Sequence, residues 1–326
     1  MTLQDLAKLT NFSVSTISKA FNNAPDISDE TKRKIYAAAK QYGIFGKYYK
    51  GKYYKKIIAI VCPELRSNYY ILYVEKLKNL IEENDGIAII STYDFEKDKM
   101  EEIIEYYSSY LGVDGIFVFY KYSKPKKGCD KPLVSLLAAP NKTTYIDSVC
   151  VDSAQAIFEA VAHLKSLGHK RMGFLGELLT FSKKEEFIDA AVQNGYAESD
   201  LCILTSNLRF EEAGIDNAEK ILTFPEIPTA VICGYDSIAM GFIKGMSQKG
   251  YRVPEDISVI GMDNIASCEY MNKALSSIDS GCDEVCRMAM DVMKKKLDNE
   301  YFSLTKKISL QSKLILRDTT APPPKS

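Results

Sequence analysis

The stretch TLQDLAKLTNFSVSTISKAFNN, residues 2–23, predicts two short helices joined by a tight turn. Thr2 can cap the first helix, and apolar residues follow it at helical spacing, namely Leu3, Leu6, Ala7 and Leu9. Asn11 stands at the turn, and asparagine is one of the few residues besides glycine that tolerates a positive φ. Ser13 can then cap a second helix, from Val14 to Phe21. The stretch therefore predicts a helix-turn-helix unit.

The predicted second helix has one shallow, hydrophilic face. Ile17, Ala20 and Phe21 point inward, which leaves five residues outside: Val14, Ser15, Thr16, Ser18 and Lys19. Short side chains let a helix enter the DNA major groove, where hydroxyl and apolar groups meet base edges. A third helix begins at Ser28, with two acidic residues at its positive dipole end. The three helices predict an all-α head that binds DNA.

The charge distribution supports a nucleic-acid target. Residues 1–56 carry 11 Lys/Arg against 4 Asp/Glu, whereas the other 270 residues carry 31 against 39. The whole chain is thus nearly neutral, at −1, although its head is strongly basic. Phosphate neutralisation needs a cationic surface locally rather than over the whole protein. The alternative is a basic patch that only keeps the protein soluble.

The same stretch closely resembles the DNA-binding head of the LacI/GalR family of bacterial repressors. SVSTISKAFN stands where that family has its recognition helix. The resemblance implies that Val14, Ser15 and Lys19 contact bases, and that Thr16 and Ser18 contact phosphates. The family usually has arginine in place of Lys19, and lysine lacks the planar fork that matches guanine. The alternative is a three-helix bundle with no role on nucleic acid.

A palindromic segment, KYYKGKYYK, follows the head at residues 47–55. The family has a hinge here with a leucine that inserts into the minor groove, and this chain lacks that leucine. One hypothesis is that Lys47, Lys50 and Lys52 neutralise phosphates while tyrosines, Tyr48 and Tyr49 among them, contact sugar edges or an opened base step. The alternative is a flexible cationic tether whose tyrosines cover the core. The predicted boundaries are 1–46 for the head and 47–56 for this linker.

The remaining chain alternates short apolar runs with amphipathic helices, which is typical of parallel sheets covered on both faces. About ten predicted strands indicate two such sheets with a cleft between them, at the carboxyl ends of the strands. HLKSLGHKRMGFLG, VPEDISVIGMDN and SKLILRDTTAPP match the core of the same family in order and spacing. The resemblance implies a core shaped like a periplasmic sugar-binding protein over 57–326, with one subdomain at about 57–150 and 279–306 and the other at about 151–278 and 307–320.

The resemblance also implies which side chains bind an effector in the cleft. Ser67, Tyr69 and Tyr70 match the loop after the first strand, where an aromatic ring commonly stacks on a sugar. Further matches are Asp147, Lys183, Arg209, Tyr235, Asp236 and Asp263. Lysine at 183, arginine at 209 and tyrosine at 235 depart from the family pattern, and the two cations together favour an acidic ligand such as a sugar acid or phosphorylated sugar. The alternative is that Arg209 pairs at the surface with Glu211 or Glu212.

Enzymes and metal sites are disfavoured. His163 and His169 have no acid or nucleophile placed beside them, and no glycine-rich phosphate loop occurs, so neither catalysis nor a cofactor is expected. Four of the eight cysteines lie in or beside strand-like runs and are expected to pack in the core of a cytoplasmic protein: Cys62, Cys150, Cys202 and Cys233. Cys282 and Cys286 are also expected to pack rather than bind metal. No signal region or membrane span is found.

The sequence thus predicts an N-terminal all-α helix-turn-helix head plus an α/β core of two parallel-sheet subdomains. The expected function is that of a cytoplasmic, homodimeric repressor that binds a near-palindromic double-stranded operator and a carbohydrate-related effector. Two alternatives stay open. The core could respond to a partner protein instead, or the chain could be a sugar-binding receptor, which would carry a signal peptide rather than the head.

Overall fold

The computed structural model describes residues 1–49, 55–120, 131–138, 146–298 and 305–325. Of the linker residues assigned to DNA binding, Lys50 and Lys52 lie outside this set. The described chain forms two compact units, of which the first comprises Met1–Lys56 with Asp85–Ile87 and the second comprises the rest. In the described part, no helix is long and apolar enough to span a membrane.

The described head contains helices α1 (Leu3–Thr10), α2 (Val14–Phe21), α3 (Asp29–Gln41) and α4 (Phe45–Tyr48). The three predicted caps are present. The side-chain oxygens of Thr2, Ser13 and Ser28 accept backbone N–H groups three residues later, at 3.2, 3.0 and 3.2 Å. Asn11 has a φ of 57° and ends α1. The predicted helix-turn-helix unit and its turn are therefore confirmed.

An aromatic cluster extends the head beyond its predicted end. Tyr49 stacks on Phe45 with ring centroids 4.6 Å apart, and Tyr48 lies 5.9 Å from Phe21. Both tyrosines pack against the buried core of the head. The predicted boundary at residue 46 falls inside α4, and the head continues to at least Tyr49, because these rings bury apolar surface there.

The second unit contains two six-stranded sheets. The first sheet has the order β11-β5-β4-β3-β1-β2, formed by β1 (Lys56–Cys62), β2 (Gly86–Thr92), β3 (Gly115–Phe119), β4 (Leu133–Leu136), β5 (Asp147–Asp152) and β11 (Lys307–Gln311). The second has the order β12-β10-β9-β8-β6-β7, formed by β6 (Met172–Glu177), β7 (Leu201–Ser206), β8 (Ala230–Cys233), β9 (Ser258–Asp263), β10 (Ser276–Asp279) and β12 (Lys313–Ile315). Pairing is parallel from β1 through β3, β4 and β5 to β11, and from β7 through β6, β8 and β9 to β10.

Helices cover both faces of each sheet. On the first sheet, α5 (Asn68–Glu83) and α11 (Cys282–Leu297) share one buried cluster, and α6 (Lys97–Glu105) packs on the opposite face. On the second, α7 (Ala154–Ser166) and α8 (Phe181–Gln193) pack on one face, and α9 (Phe210–Ile221) and α10 (Asp236–Gln248) pack on the other. The four cysteines predicted for the core are buried free thiols. Each sheet with its helices forms one lobe.

The chain passes between the lobes three times, between β5 and α7, between β10 and α11, and between β11 and β12. One predicted subdomain boundary is therefore corrected. Residues 307–311 were assigned to the second lobe, but they form β11 and pair with β5 of the first lobe, with Ile308 opposite Val149. The return to the second lobe occurs at Ser312, whose backbone N–H donates to Asp152 O at 3.0 Å. β11 is an exposed strand of alternating polarity, and such a sequence pattern does not predict which of the two sheets the strand joins.

Helices α9 and α10 contact each other through their backbones at two glycines. A Cβ added at Gly214 would lie 2.1 Å from Ile238 O, and one added at Gly241 would lie 2.0 Å from Glu211 O. Backbone atoms cannot rotate away as a flexible side chain can. These glycines are therefore required by the close approach of the two helices, despite their low helix propensity.

We expect Gly214→Ala to lower the free energy of unfolding by about 2 kcal/mol or more, because the overlap with backbone outweighs the gain of up to about 1 kcal/mol from better helix propensity. Ser247→Ala is the matched control, since Ser247 is exposed near the end of α10. Urea unfolding followed by circular dichroism measures both. An unchanged or raised stability of Gly214→Ala would contradict the described helix contact.

His169 fastens the chain end to the second lobe. Its Nε2–H donates to Ala321 O at 2.9 Å, and its Nδ1 lies within hydrogen-bonding distance of Thr229 Oγ1, at 2.8 Å. The Tyr196 hydroxyl donates to His169 O at 2.5 Å. Burial lowers the pKa of His169 below its ordinary value of 6.5 and thereby favours the neutral ring.

The lowered pKa of His169 predicts a loss of stability in acid. The lowered pKa of His169 contributes to the free energy of unfolding. This contribution is complete above pH 6.5 and declines as the pH falls toward the native-state pKa, since the unfolded chain binds the proton more readily. Between pH 7.5 and 5.5, His169→Gln is therefore expected to lose less free energy of unfolding than the wild type. Groups that titrate in the same range contribute to both proteins and cancel in this comparison. Equal losses in the two proteins would contradict the assignment.

Candidate functional site

Helix α2 presents the predicted DNA-reading face. Ile17, Ala20 and Phe21 are buried, as predicted. Val14, Ser15 and Lys19 are exposed, and Thr16 and Ser18 are half-buried beside them. The Thr16 hydroxyl is within 2.8 Å of Ser13 Oγ, so it also belongs to the helix cap. The five side chains thus share one accessible face of a helix with a properly capped N-terminus.

Lys19 is held by an acid that the sequence analysis did not single out. Its Nζ donates to Asp26 Oδ2 at 2.6 Å, and both side chains are about half exposed. This contact lowers the pKa of Asp26. Asp26 lies beyond the end of α2, so the helical spacing that marked the other residues gives no signal for it. Any contact of Lys19 with a base must compete with this ion pair.

The tyrosines predicted to touch DNA contact the head itself. Tyr48 and Tyr49 are half-buried in the aromatic cluster around Phe45. Lys47 is exposed, with its Nζ 5.3 Å from the Tyr48 ring centroid. The contact of Tyr48 and Tyr49 with DNA stays a prediction.

In the second unit, a cavity of about 450 Å³ lies between the lobes at the carboxyl ends of their strands. Seven of the nine predicted effector residues line it: Ser67, Tyr69, Tyr70, Lys183, Arg209, Tyr235 and Asp263. They come from both lobes, since the first three surround the start of α5 and the others belong to the second sheet and its helices. A cavity of this size suits a small organic ligand.

Asp147 is placed elsewhere by the structure. It begins β5, so it lies at the amino end of a parallel strand, away from the cleft. Its Oδ1 accepts the Lys306 N–H at 2.6 Å, and Lys296 Nζ lies 2.5 Å from Oδ2. Its assignment to effector binding is corrected, because both oxygens are used to join β5 to neighbouring segments.

Asp236, which was also predicted to bind the effector, is buried behind the cavity wall and does not line the cavity. Ser277 Oγ donates to its Oδ1 at 2.6 Å, and the Ile265 N–H donates to its Oδ2 at 2.9 Å. Burial, and secondarily the Asp263 carboxylate, raise the pKa of Asp236. Asp236 therefore fixes the loop that carries Asp263.

Four residues that line the cavity have a positive φ without being glycine. The angles are 65° at Tyr120, 59° at Leu137, 56° at Phe210 and 103° at Asp263. Such conformations cost on the order of 1–3 kcal/mol each and concentrate at ligand clamps and active sites. Phe210 is held by its N–H, which donates to the Tyr235 hydroxyl at 2.9 Å. Strain at these four positions therefore favours a ligand-binding role for the cavity.

Tyrosines form the wall contributed by the first lobe. The hydroxyls of Tyr70 and Tyr120 are hydrogen-bonded to each other. Burial raises the pKa of Tyr120 to about 12, so the hydroxyl stays neutral. Lys183 Nζ lies 5.8 Å from the Tyr69 ring centroid, which brings a cation of the second lobe to an aromatic face of the first. The wall offers both aromatic surface and hydroxyl groups.

The charged groups of the cavity are largely engaged with each other. Lys183 Nζ donates to Gly234 O at 2.7 Å and to Asp263 Oδ1 at 3.2 Å. Burial raises the pKa of Asp263, and Lys183 opposes that effect. Among the described residues no donor reaches the second carboxylate oxygen of Asp263, Oδ2. This oxygen is therefore available to a hydroxyl group of a ligand.

Arg209 pairs across the cleft. Its Nη1 and Nη2 donate to the two carboxylate oxygens of Glu64, at 2.9 and 2.8 Å. The predicted alternative, a surface pair with Glu211 or Glu212, is wrong, because the guanidinium turns into the cavity instead. Neither Glu64 nor Glu177, which lies 3.6 Å from Arg209 Nε, was singled out from the sequence. Glu177 ends β6, so the rule that ligands lie at strand ends could have found it.

Comparisons with known proteins agree with this geometry. Residues 2–43 match the family described as bacterial regulatory proteins of the lacI family, and residues 161–320 match the periplasmic binding protein-like domain. Catabolite control protein A of Priestia megaterium is 27% identical over 315 residues, which cover 92% of this chain and 93% of that protein.

Two solved structures show the same fold. The lac repressor dimer bound to operator and the anti-inducer ONPF superposes with a TM-score of 0.75 at 19% identity, covering 98% of this chain and 99% of that one. A LacI family regulator from Enterococcus faecium with bound ribose gives 0.70 at 21% identity, covering 82% and 99%. The two structures share the fold of this chain, and the two family matches show that it carries a lacI-family helix-turn-helix head followed by a periplasmic binding protein-like core.

Proposed function

We propose that this protein is a cytoplasmic homodimeric repressor of transcription whose operator binding is controlled by a carbohydrate-related small molecule in the cleft. Two heads on one dimer would contact two half-sites of a near-palindromic operator. The exposed face of α2 would read bases, and the exposed Lys47, with Lys50 and Lys52, would contact phosphates.

The strained backbone around the cavity carries the proposal for an effector. The strain at Tyr120, Leu137, Phe210 and Asp263 lies in the cavity wall and must be offset by the contacts of the surrounding lobes. The same cavity offers what a sugar requires, namely tyrosine rings for its C–H faces and the open oxygen of Asp263 for its hydroxyls. The ribose seen in the Enterococcus faecium regulator is consistent with this ligand class.

Fluorescence anisotropy on DNA from upstream of its own gene tests both parts of the proposal. A scrambled duplex of equal length is the control, at two salt concentrations, with and without pooled neutral sugars and sugar phosphates. We expect tighter binding to the native duplex, with an affinity that the pool changes by about tenfold or more, a typical allosteric coupling. Equal, strongly salt-dependent binding to both duplexes would contradict sequence-specific recognition by α2. Intact specific binding without any response to the pool would favour control by a partner protein.

Substitutions at Lys19 and Asp26 test the reading face directly. Lys19→Gln should lose about 1–3 kcal/mol of affinity for the native duplex and much less for the scrambled one, because a base contact is removed. Asp26→Asn should tighten DNA binding by up to about fivefold, since the exposed ion pair no longer competes with DNA for Lys19. Glu30→Gln is the matched control, because Glu30 forms an exposed ion pair with Lys34 on α3. A larger effect of Glu30→Gln would show that only overall charge matters.

A further inference from the structure

The pair of Glu64 and Arg209 joins the two lobes directly across the cavity. Glu64 follows β1 of the first lobe, and Arg209 precedes α9 of the second. Arg209 Nη1 donates to Glu64 Oε2, and Nη2 donates to Glu64 Oε1. This bidentate geometry is the strongest form of an arginine–carboxylate ion pair. The side chains are 8% and 29% exposed, so solvent screens the pair only weakly.

The rest of the Arg209 guanidinium faces a second acid. Its Nε lies 3.6 Å from Glu177 Oε1, which is an ionic contact without a hydrogen bond, and its centre lies 4.5 Å from the Phe210 ring centroid. Glu177 is 2% exposed, and its Oε2 accepts the Leu179 N–H at 2.9 Å. To form a bidentate contact with Arg209, an anionic ligand would have to displace the Glu64 carboxylate and would then lie close to the Glu177 carboxylate. Both effects are electrostatically unfavourable for an anion but not for a neutral ligand.

Among the described residues that line the cavity, acids slightly outnumber cations. They include three acids, Glu177, Glu186 and Asp263, against two cations, Lys183 and Arg209. Glu64 and Arg66 adjoin it, through Arg209 and the Phe210 ring respectively. Lys183 is already paired with Asp263, and Arg209 with Glu64. Neither cation therefore presents a free positive charge, which is the opposite of a site built for a carboxylate or phosphate.

We propose that Glu64 is a specificity-determining residue, which engages Arg209 across the cleft and thereby makes the site select uncharged or cationic small molecules over anions. The inference deepens the proposed function, since it rests on the cleft being a ligand site. It reverses the expectation of an acidic ligand, which counted Lys183 and Arg209 as free cations.

Glu64→Gln tests the inference, because it keeps the shape of the side chain while freeing the guanidinium. Glu186→Gln is the matched control. Glu186 is another acid of the cavity, whose Oε2 accepts Ser153 Oγ, and it does not touch Arg209. Binding of inorganic phosphate, D-glucose 6-phosphate and D-glucose is measured by isothermal titration on the full chain, with folding checked by circular dichroism.

We expect Glu64→Gln to bind phosphate and D-glucose 6-phosphate about tenfold or more tighter than the wild type, because a charge-assisted bidentate site becomes available. Glu186→Gln should gain clearly less, and the double variant Glu64→Gln/Arg209→Gln should lose the gain. The inference is overturned if the wild type prefers D-glucose 6-phosphate to D-glucose. It is also overturned if Glu64→Gln gains no more than Glu186→Gln.

A reciprocal variant covers the case in which Glu64→Gln does not fold. Arg209→Gln uncovers the carboxylates of Glu64 and Glu177, so it should bind the cation D-glucosamine about tenfold or more tighter than the wild type. No gain would overturn the inference. The phosphate assay needs no natural effector, so its failure is distinguishable from failure of the proposed function. Suppose that Glu64→Gln binds phosphate more tightly than the wild type, but no sugar alters DNA binding. That result would refute effector control by sugars and would leave the role of Glu64 intact.

Discussion

Parallel pairing of strands is the constraint on which the core of this protein depends. Strands that run in one direction must be joined by crossovers, and helices supply them, so each sheet is covered on both faces. The same direction brings the carboxyl ends of the parallel strands to one edge of each sheet. Glu177 and Asp263 end their strands there, and Glu64 and Tyr120 follow theirs. The cleft, its acids and its strained turns are consequences of that single arrangement.

Within the cleft, the strained backbone at Phe210 and the charged groups of Arg209 and Glu177 are held by shared contacts. Phe210 adopts a left-handed backbone next to Arg209, and its ring lies under that guanidinium. Tyr235 holds the Phe210 N–H and also donates to Glu177 Oε1 at 3.3 Å. The conformation of the loop before α9 and the placement of its cation are thus fixed by one set of contacts. A change at any of these residues would alter both.

Local chemistry made the head predictable, whereas long-range pairing limited prediction of the cleft. Caps and turns depend on neighbours in sequence, so Thr2, Ser13, Ser28 and Asn11 could be assigned correctly. Asp147 was misplaced because an acid at the start of a parallel strand lies at the opposite edge from one at its end, and the sequence pattern did not fix that start. Glu64 and Arg209 are 145 residues apart, and no periodicity links residues that meet only through tertiary structure.

The backbone contact between α9 and α10 limits how the second lobe can respond to a ligand. Sliding of packed helices needs side chains between them that can change rotamer, and at Gly214 and Gly241 none intervenes. We therefore expect little shear within this half of the lobe. If a ligand rotates the lobe, the three crossings near Ser153, Ser280 and Ser312 are where the backbone would bend.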